Sequence, residues 1–291
     1  MTARPERITA IGGLGGSGTR VFAAMLRHAG VHIGGDLNGP LDNLWFTVLF
    51  KRPAWTRSQP ANSQVVTAVR LFRQAMTMGL SGVLSAADQA LIEGLKQELL
   101  PQGTWNSGAQ GPQAMRLMQS GPSRVATGGP WGWKEPNTHV FLPYLNRLLP
   151  DFRYIHIVRD GLDMAFSDNT WQARHWEHMF GITPDVAMPM ELRQLRYWLA
   201  ANQAAVAYGR AQMPGRFMVI RYEDFCADPE PYWHQIRRLA GGGEDTELPQ
   251  DLVQPTTIGR ADTRDLSIFP VDLLERVDAF QLGLEKSRDL G

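Results

Sequence analysis

Directly after the short apolar run Ile8–Gly13, the chain reads Gly12-Gly13-Leu14-Gly15-Gly16-Ser17-Gly18-Thr19. Five glycines in seven positions are costly in conformational entropy. Such a run belongs where the backbone must take left-handed angles or approach a ligand closely. Val21, Phe22, Met25 and Leu26 follow with helical spacing, and Gly30 supplies a stop. The opening therefore predicts a strand, a phosphate-type loop and a helix, whose N-terminal amides and dipole suit an anion. Val31–Gly34 is expected to form a second short strand, ending at Gly34-Gly35-Asp36.

Two readings of the loop compete. Gly13, Gly15 and Gly18 fit GxGxxG, and Asp36 lies where a dinucleotide fold would place its ribose-binding acid. This is the reading of an NAD(P)-dependent oxidoreductase. Gly13 and Gly18 also fit the GxxxxG of a nucleoside-triphosphate loop, but Thr19-Arg20 stands where Lys-Ser or Lys-Thr is required. Without that lysine the β- and γ-phosphates of ATP lack their usual cation. The loop can still hold one anionic group through backbone N–H groups and the Ser17 and Thr19 hydroxyls.

Beyond the loop, helices are expected over 64–79 and 86–99, and a glycine- and proline-rich stretch over 101–130. Residues 40–130 are read as a helical insertion or lid on a single domain spanning 1–291. Strands are expected at Trp131–Lys134, Phe152–Val158 and Phe217–Ile220, with helices over 138–149 and 189–212. Strands separated by helices define an α/β fold of three layers around a central, mostly parallel sheet, with ligands at the carboxyl ends of the strands. The 29 basic and 29 acidic side chains balance, which excludes a polybasic nucleic-acid binder. Only four of the basic residues are lysines: Lys51, Lys96, Lys134 and Lys286. One cysteine, Cys226, rules out an internal disulfide, and no apolar run has the length of a membrane span. A cytoplasmic protein is expected.

The second informative segment is Arg159-Asp160-Gly161-Leu162-Asp163-Met164-Ala165-Phe166-Ser167, directly after the most apolar strand. Together with Ser17-Gly18-Thr19 and with Tyr222-Glu223-Asp224 after a later strand, it resembles the sulfotransferases that use 3′-phosphoadenosine 5′-phosphosulfate (PAPS). The three motifs stand in that family's order and span about residues 15 to 225. The resemblance implies a P-loop-like fold and in-line transfer of a sulfuryl group from PAPS to a hydroxyl or amine, without a metal. It implies that Gly15, Gly16, Ser17, Gly18, Thr19 and Arg20 hold the 5′-phosphosulfate, that Arg159 and Ser167 hold the 3′-phosphate, and that Tyr222 lies near the adenine. Gly259-Arg260 is similar to the family's loop that closes over the 3′-phosphate, which makes Arg260 a further contact.

The chain departs from the pattern twice. Gly16 stands where the family carries a cation before the serine, and Lys134 or Arg20 is expected to replace it, Lys134 being favoured. Pro136 stands where cytosolic members place a catalytic histidine, so the base is assigned to Asp36, with Glu135 and His139 as alternatives. The acceptor is expected to be a small molecule or carbohydrate, with Trp45, Trp55, Trp105, Trp171 and Trp176 as an aromatic platform or as core. No nucleic-acid partner is expected, and a homodimer is compatible with the sequence. A non-catalytic nucleotide-binding relative is the alternative that these two departures raise.

Overall fold

The computed structural model describes residues 6–80, 84–98, 129–183, 185–243, 246–249 and 258–285. Strand β1 (Ile8–Gly13) is followed by α1 (Thr19–His28), and then by α2 (Leu44–Phe50), α3 (Pro53–Arg57), α4 (Asn62–Thr77) and α5 (Ala86–Glu98). Strand β2 (Trp131–Lys134), a 3-10 turn (Pro136–Phe141), α6 (Leu142–Leu148) and β3 (Phe152–Val158) come next. The chain continues through α7 (Gly161–Ala165), α8 (Trp171–Trp176), α9 (Met190–Gln212), β4 (Phe217–Arg221), α10 (Tyr222–Ala227), α11 (Glu230–Ala240) and α12 (Val271–Glu285).

The four strands form an all-parallel sheet in the order β2-β1-β3-β4. All six residues of β1 are buried, as expected of a central strand covered on both faces. Side chains alternate between two cores. Ile8, Ala10, Trp131, Trp133, Phe152 and Tyr154 join the buried faces of α2, α4 and α6 in one cluster. Ile11, Ile155, Ile157 and Ile220 join α1 and α11 in the other. A third cluster gathers α9 and α12 around Leu14, Val158 and Met164, at the carboxyl end of the sheet.

Two local expectations are corrected. Val31–Gly34 is not a ladder strand: it makes a single parallel bridge, His32 to Trp131, and turns away at Gly34 with φ 105°. The helix expected over 138–149 is broken into the 3-10 turn and α6. Pro143 has no N–H to give to the His139 carbonyl, so the α-helical ladder starts only beyond that point. Among the named tryptophans Trp45, Trp55 and Trp176 are core residues, Trp171 is half-buried, and Trp105 lies outside the described residues, as does most of the 101–130 stretch. Among the described residues no helix is long and apolar enough to cross a membrane.

Candidate active site

The glycine loop leaves the carboxyl end of the central strand and leads into α1. Gly18 caps that helix with φ 85°, and the Tyr222 ring lies so close that a Cβ at Gly18 would sit 2.2 Å from it. Gly16 has φ 103°, a left-handed angle that explains why no lysine or arginine stands there. Ser17 is buried, its N–H donates to the Leu14 carbonyl at 3.0 Å, and its hydroxyl has no hydrogen-bond partner among the described residues. A buried hydroxyl without a partner costs free energy unless a ligand supplies one. Thr19 is buried beside it, while Arg20 points outward as an exposed residue of the first turn of α1.

Arg159 enters from the end of β3. Its side chain is buried, Nη1 donates to the Gly16 carbonyl at 3.2 Å, and its guanidinium lies 5.6 Å from the Tyr222 ring centre. Nη2 is 3.5 Å from Oδ2 of Asp163, one helical turn on. The α7 helix stops at Ala165, and the chain bends so that the Ser167 hydroxyl lies 3.7 Å from where a Gly16 Cβ would be. Arg159, Ser167 and the glycine loop thus meet. The Tyr222 segment is braced against them, because Glu223 Oε1 accepts the Asp160 N–H at 2.9 Å. Burial pushes the Tyr222 hydroxyl up to about 12, with Cys226 adding to the rise, so it remains a neutral donor.

The late loop reaches the same place. The Asp163 carboxylate accepts the N–H groups of Gly259 and Ala261, each at 2.9 Å, and Arg260 Nη1 donates to the Asp163 carbonyl at 3.3 Å. Asp163 therefore ties the Gly259-Arg260 loop to Arg159. Asp163 has no role of its own in the sequence analysis, and its place one helical turn after Arg159 is the signal that could have found it.

The expected catalytic residues separate into three settings. Lys134 is buried at the end of β2, where Nζ donates to the Asp42 carboxylate and to the Pro40 carbonyl at 3.1 Å. Asp36 is half-buried nearby and accepts the Trp45 indole N–H at 2.9 Å through Oδ2. His139 sits apart, its ring between the Pro136 carbonyl (2.9 Å) and the Tyr197 hydroxyl (3.1 Å), with burial lowering its pKa to about 4. No hydrogen bond joins Lys134, Asp36 or His139 to the glycine loop among the described residues.

Glu135 does connect to the loop, through two residues that sequence reasoning missed. Gly15 N–H donates to Gln172 Oε1 at 2.7 Å, and Gln172 Nε2 donates to Asn137 Oδ1 at 2.7 Å. Asn137 then gives its backbone N–H (2.6 Å) and its Nδ2 (2.8 Å) to the two oxygens of Glu135. Every bond in this chain points toward the Glu135 carboxylate. Burial pushes that carboxyl up to about 7, opposed by Lys51 and the Asn137 donors and reinforced by Asp42. The signal for Asn137 was its place two residues after Glu135; nothing in the sequence marked Gln172. No group of three or more His, Cys, Asp or Glu side chains among the described residues could hold a metal.

A parallel sheet with a glycine loop after its central strand, and a buried arginine from the next strand closing on that loop, defines an α/β protein of P-loop-like fold. A family model described as the sulfotransferase family matches residues 9–242, and the chain belongs to that family. Among solved structures it is similar to the sulfotransferase domain of the Synechococcus PCC 7002 olefin synthase, with 16% identity over 96% of this chain and 95% of that one and a TM-score of 0.51. A sulfotransferase from Alicyclobacillus acidocaldarius matches at 16% identity over 95% and 92% with a TM-score of 0.43. The sulfotransferase domain from the curacin biosynthetic pathway matches at 18% identity over 87% and 78% with a TM-score of 0.40. No curated protein matches the sequence.

Proposed function

We propose that the protein transfers a sulfuryl group from PAPS to a hydroxyl or amine of a small-molecule or carbohydrate acceptor. The observation that carries this reading is the meeting of Arg159, Ser167 and the glycine loop, which brings two anion-receiving elements to one end of the sheet. The residues fit the nucleotide: the Ser17 hydroxyl is buried without a partner among the described residues, and Gly16 is exposed. When bound, PAPS supplies the activated sulfuryl group and a leaving phosphate. Gly16 to Thr19 hold the 5′ end by backbone N–H groups and hydroxyls, and the Arg159 fork with Ser167 holds the 3′-phosphate. Arg260, drawn in by Asp163, closes the same side.

Lys134 supplies the cation that Gly16 cannot carry. An ammonium has three donors, and Asp42 and Pro40 use two, which leaves one for the developing negative charge. Asp36 takes the acceptor's proton, since Trp45 holds Oδ2 and leaves Oδ1 available. Glu135 is a poorer candidate: it is fully buried, and both of its oxygens accept from Asn137. His139 serves the packing between Pro136 and Tyr197.

The oxidoreductase reading needs a second strand beside β1, so that its terminal acid faces the loop. Here the segment before Asp36 touches Trp131 of β2, one strand away, and β2 and β3 occupy both flanks of β1. Turnover of PAPS against a panel of phenols, alcohols, amines and sugars tests the function. Wild type is expected to release 3′,5′-adenosine bisphosphate with at least one acceptor, and Asp36→Asn and Lys134→Met to lose about 10²-fold or more in kcat. Tight nucleotide binding without turnover of any acceptor would favour the non-catalytic alternative.

A further inference from the structure

Gln172, at the second position of α8, is buried and bonded through both atoms of its amide. Its Oε1 accepts the Gly15 N–H at 2.7 Å, and its Nε2 donates to Asn137 Oδ1 at 2.7 Å. One helical turn on, Trp176 Nε1 donates to the same Asn137 oxygen at 2.7 Å. An indole N–H and a backbone N–H can only donate. They fix both amides in one orientation, which sends Asn137 Nδ2 to the Glu135 carboxylate at 2.8 Å. Asn137, Glu135 and Trp176 are buried as well, and a buried network with its members satisfied holds a single geometry.

The segment leading to Gln172 is held at its other end too. Gln194 of α9 donates from Nε2 to the carbonyls of Ala165 (2.7 Å) and Ser167 (2.9 Å). Residues 165–172 thus form a strap between two buried amides, and the strap lies against the glycine loop. The Ser167 hydroxyl is 3.7 Å from the place of a Gly16 Cβ, and Asn169 Nδ2 is 2.6 Å from the place of a Gly15 Cβ. Gly15 and Gly16 are the two central residues of the turn that the Ser17 N–H closes on the Leu14 carbonyl. Glycines lose the most freedom on ordering, so a turn made of them needs an outside hold to be preformed for a ligand. The Gln172 bond supplies it by fixing the peptide plane between Leu14 and Gly15. That bond also occupies the Gly15 N–H, which leaves a phosphate to the amides that follow.

We infer that Gln172 is a positioning residue for the 5′-phosphate end of the site: it holds the turn of the glycine loop preformed, and Asn137, Trp176 and Glu135 hold its amide in place. The inference rests on the sulfotransferase reading and deepens it. Calorimetric affinities for 3′,5′-adenosine bisphosphate and for adenosine 3′-monophosphate, which lacks the 5′-phosphate, test it. Wild type is expected to bind the bisphosphate about tenfold or more tighter than the 3′-monophosphate. Gln172→Met and Gln172→Leu, which leave the Gly15 N–H without its acceptor, should each cut that advantage by about fivefold or more, with 3′-monophosphate affinity within about twofold of wild type. Gln172→Glu at about pH 5, where a protonated acid offers Gly15 an oxygen and Asn137 an O–H, should keep the wild-type advantage measured at the same pH to within about twofold. An advantage unchanged in Gln172→Met and Gln172→Leu, an equal loss of both nucleotides, or a Gln172→Glu protein no better than Gln172→Met overturns the positioning role. Failure of wild type to bind the bisphosphate, or its equal affinity for the two nucleotides, would instead remove the donor reading on which the inference stands.

Discussion

Arg159 and Asp163 face each other at 3.5 Å one helical turn apart, both buried, and the same carboxylate receives the backbone N–H groups of Gly259 and Ala261. Asp163 thus positions Arg159, the arginine proposed to hold the 3′-phosphate, and the loop that carries Arg260. Truncating it removes the carboxylate beside a buried guanidinium and the acceptor of two backbone N–H groups. Asp163→Ala should cost about 3–5 kcal/mol of folding stability, measured by urea denaturation. Asp163→Asn, which keeps an acceptor for one loop amide, should cost less than Asp163→Ala.

Arg159 itself should dominate nucleotide affinity. Arg159→Ala is expected to weaken 3′,5′-adenosine bisphosphate binding by about 2–5 kcal/mol. Arg159→Lys should recover little of that loss, because an ammonium cannot supply the planar fork that reaches both Gly16 and a phosphate. Isothermal calorimetry on the three proteins checks the order.

The packing of Tyr222 on Gly18 gives a prediction of coupling. A methyl at Gly18 meets the Tyr222 ring at 2.2 Å and also forces an alanine to φ 85°. The backbone part costs about 1–3 kcal/mol and the clash adds to it. Gly18→Ala should therefore be partly rescued by Tyr222→Ala, with the double variant more stable than the sum of the singles predicts. Additive losses in a thermal-melt double-mutant cycle would show that the ring is not pressed on the loop.

Glu135 carries the pH dependence. Its carboxyl is raised from 4.5 to about 7, so folding favours the protonated form. Between those two values the folded chain holds more protons than the unfolded one, and the Glu135 contribution to stability falls as pH rises. Buried His139 and His156, lowered to about 4 and 3, act with the opposite slope, their contribution falling as pH drops below 6.5. The stability difference between wild type and Glu135→Gln isolates the first effect. It should shift against wild type from about pH 4.5 to about pH 7 and stay level above, in denaturation curves taken across that range.

The sequence was most readable where function presses on the backbone. The glycine loop follows from the entropy argument alone, and β3 from its unbroken apolar run. The separate motifs at 17–19, 159–167 and 222–224 come together because three parallel strands deliver them to one end of the sheet. What stayed hidden has a common cause, which is long-range side-chain pairing. Gln172 reaches Gly15 across 157 residues and Lys134 reaches Asp42 across 92, and no local pattern records either contact. The expected second strand fails to form for a related reason. Val31 to Gly34 has strand composition, but Gly34 turns the chain after one bridge, leaving Asp36 near β2.

In the proposed function the glycine loop and Arg159 together bind the two ends of one PAPS-derived nucleotide. Calorimetric titration of the wild-type protein with 3′,5′-adenosine bisphosphate, in the presence of a metal chelator and alongside adenosine 5′-monophosphate, tests it most directly. Saturable one-to-one binding of the bisphosphate is expected, with the monophosphate weaker by about tenfold or more because it leaves Arg159 and Ser167 without their phosphate. Equal affinity for the two nucleotides, or no binding of the bisphosphate, would contradict it.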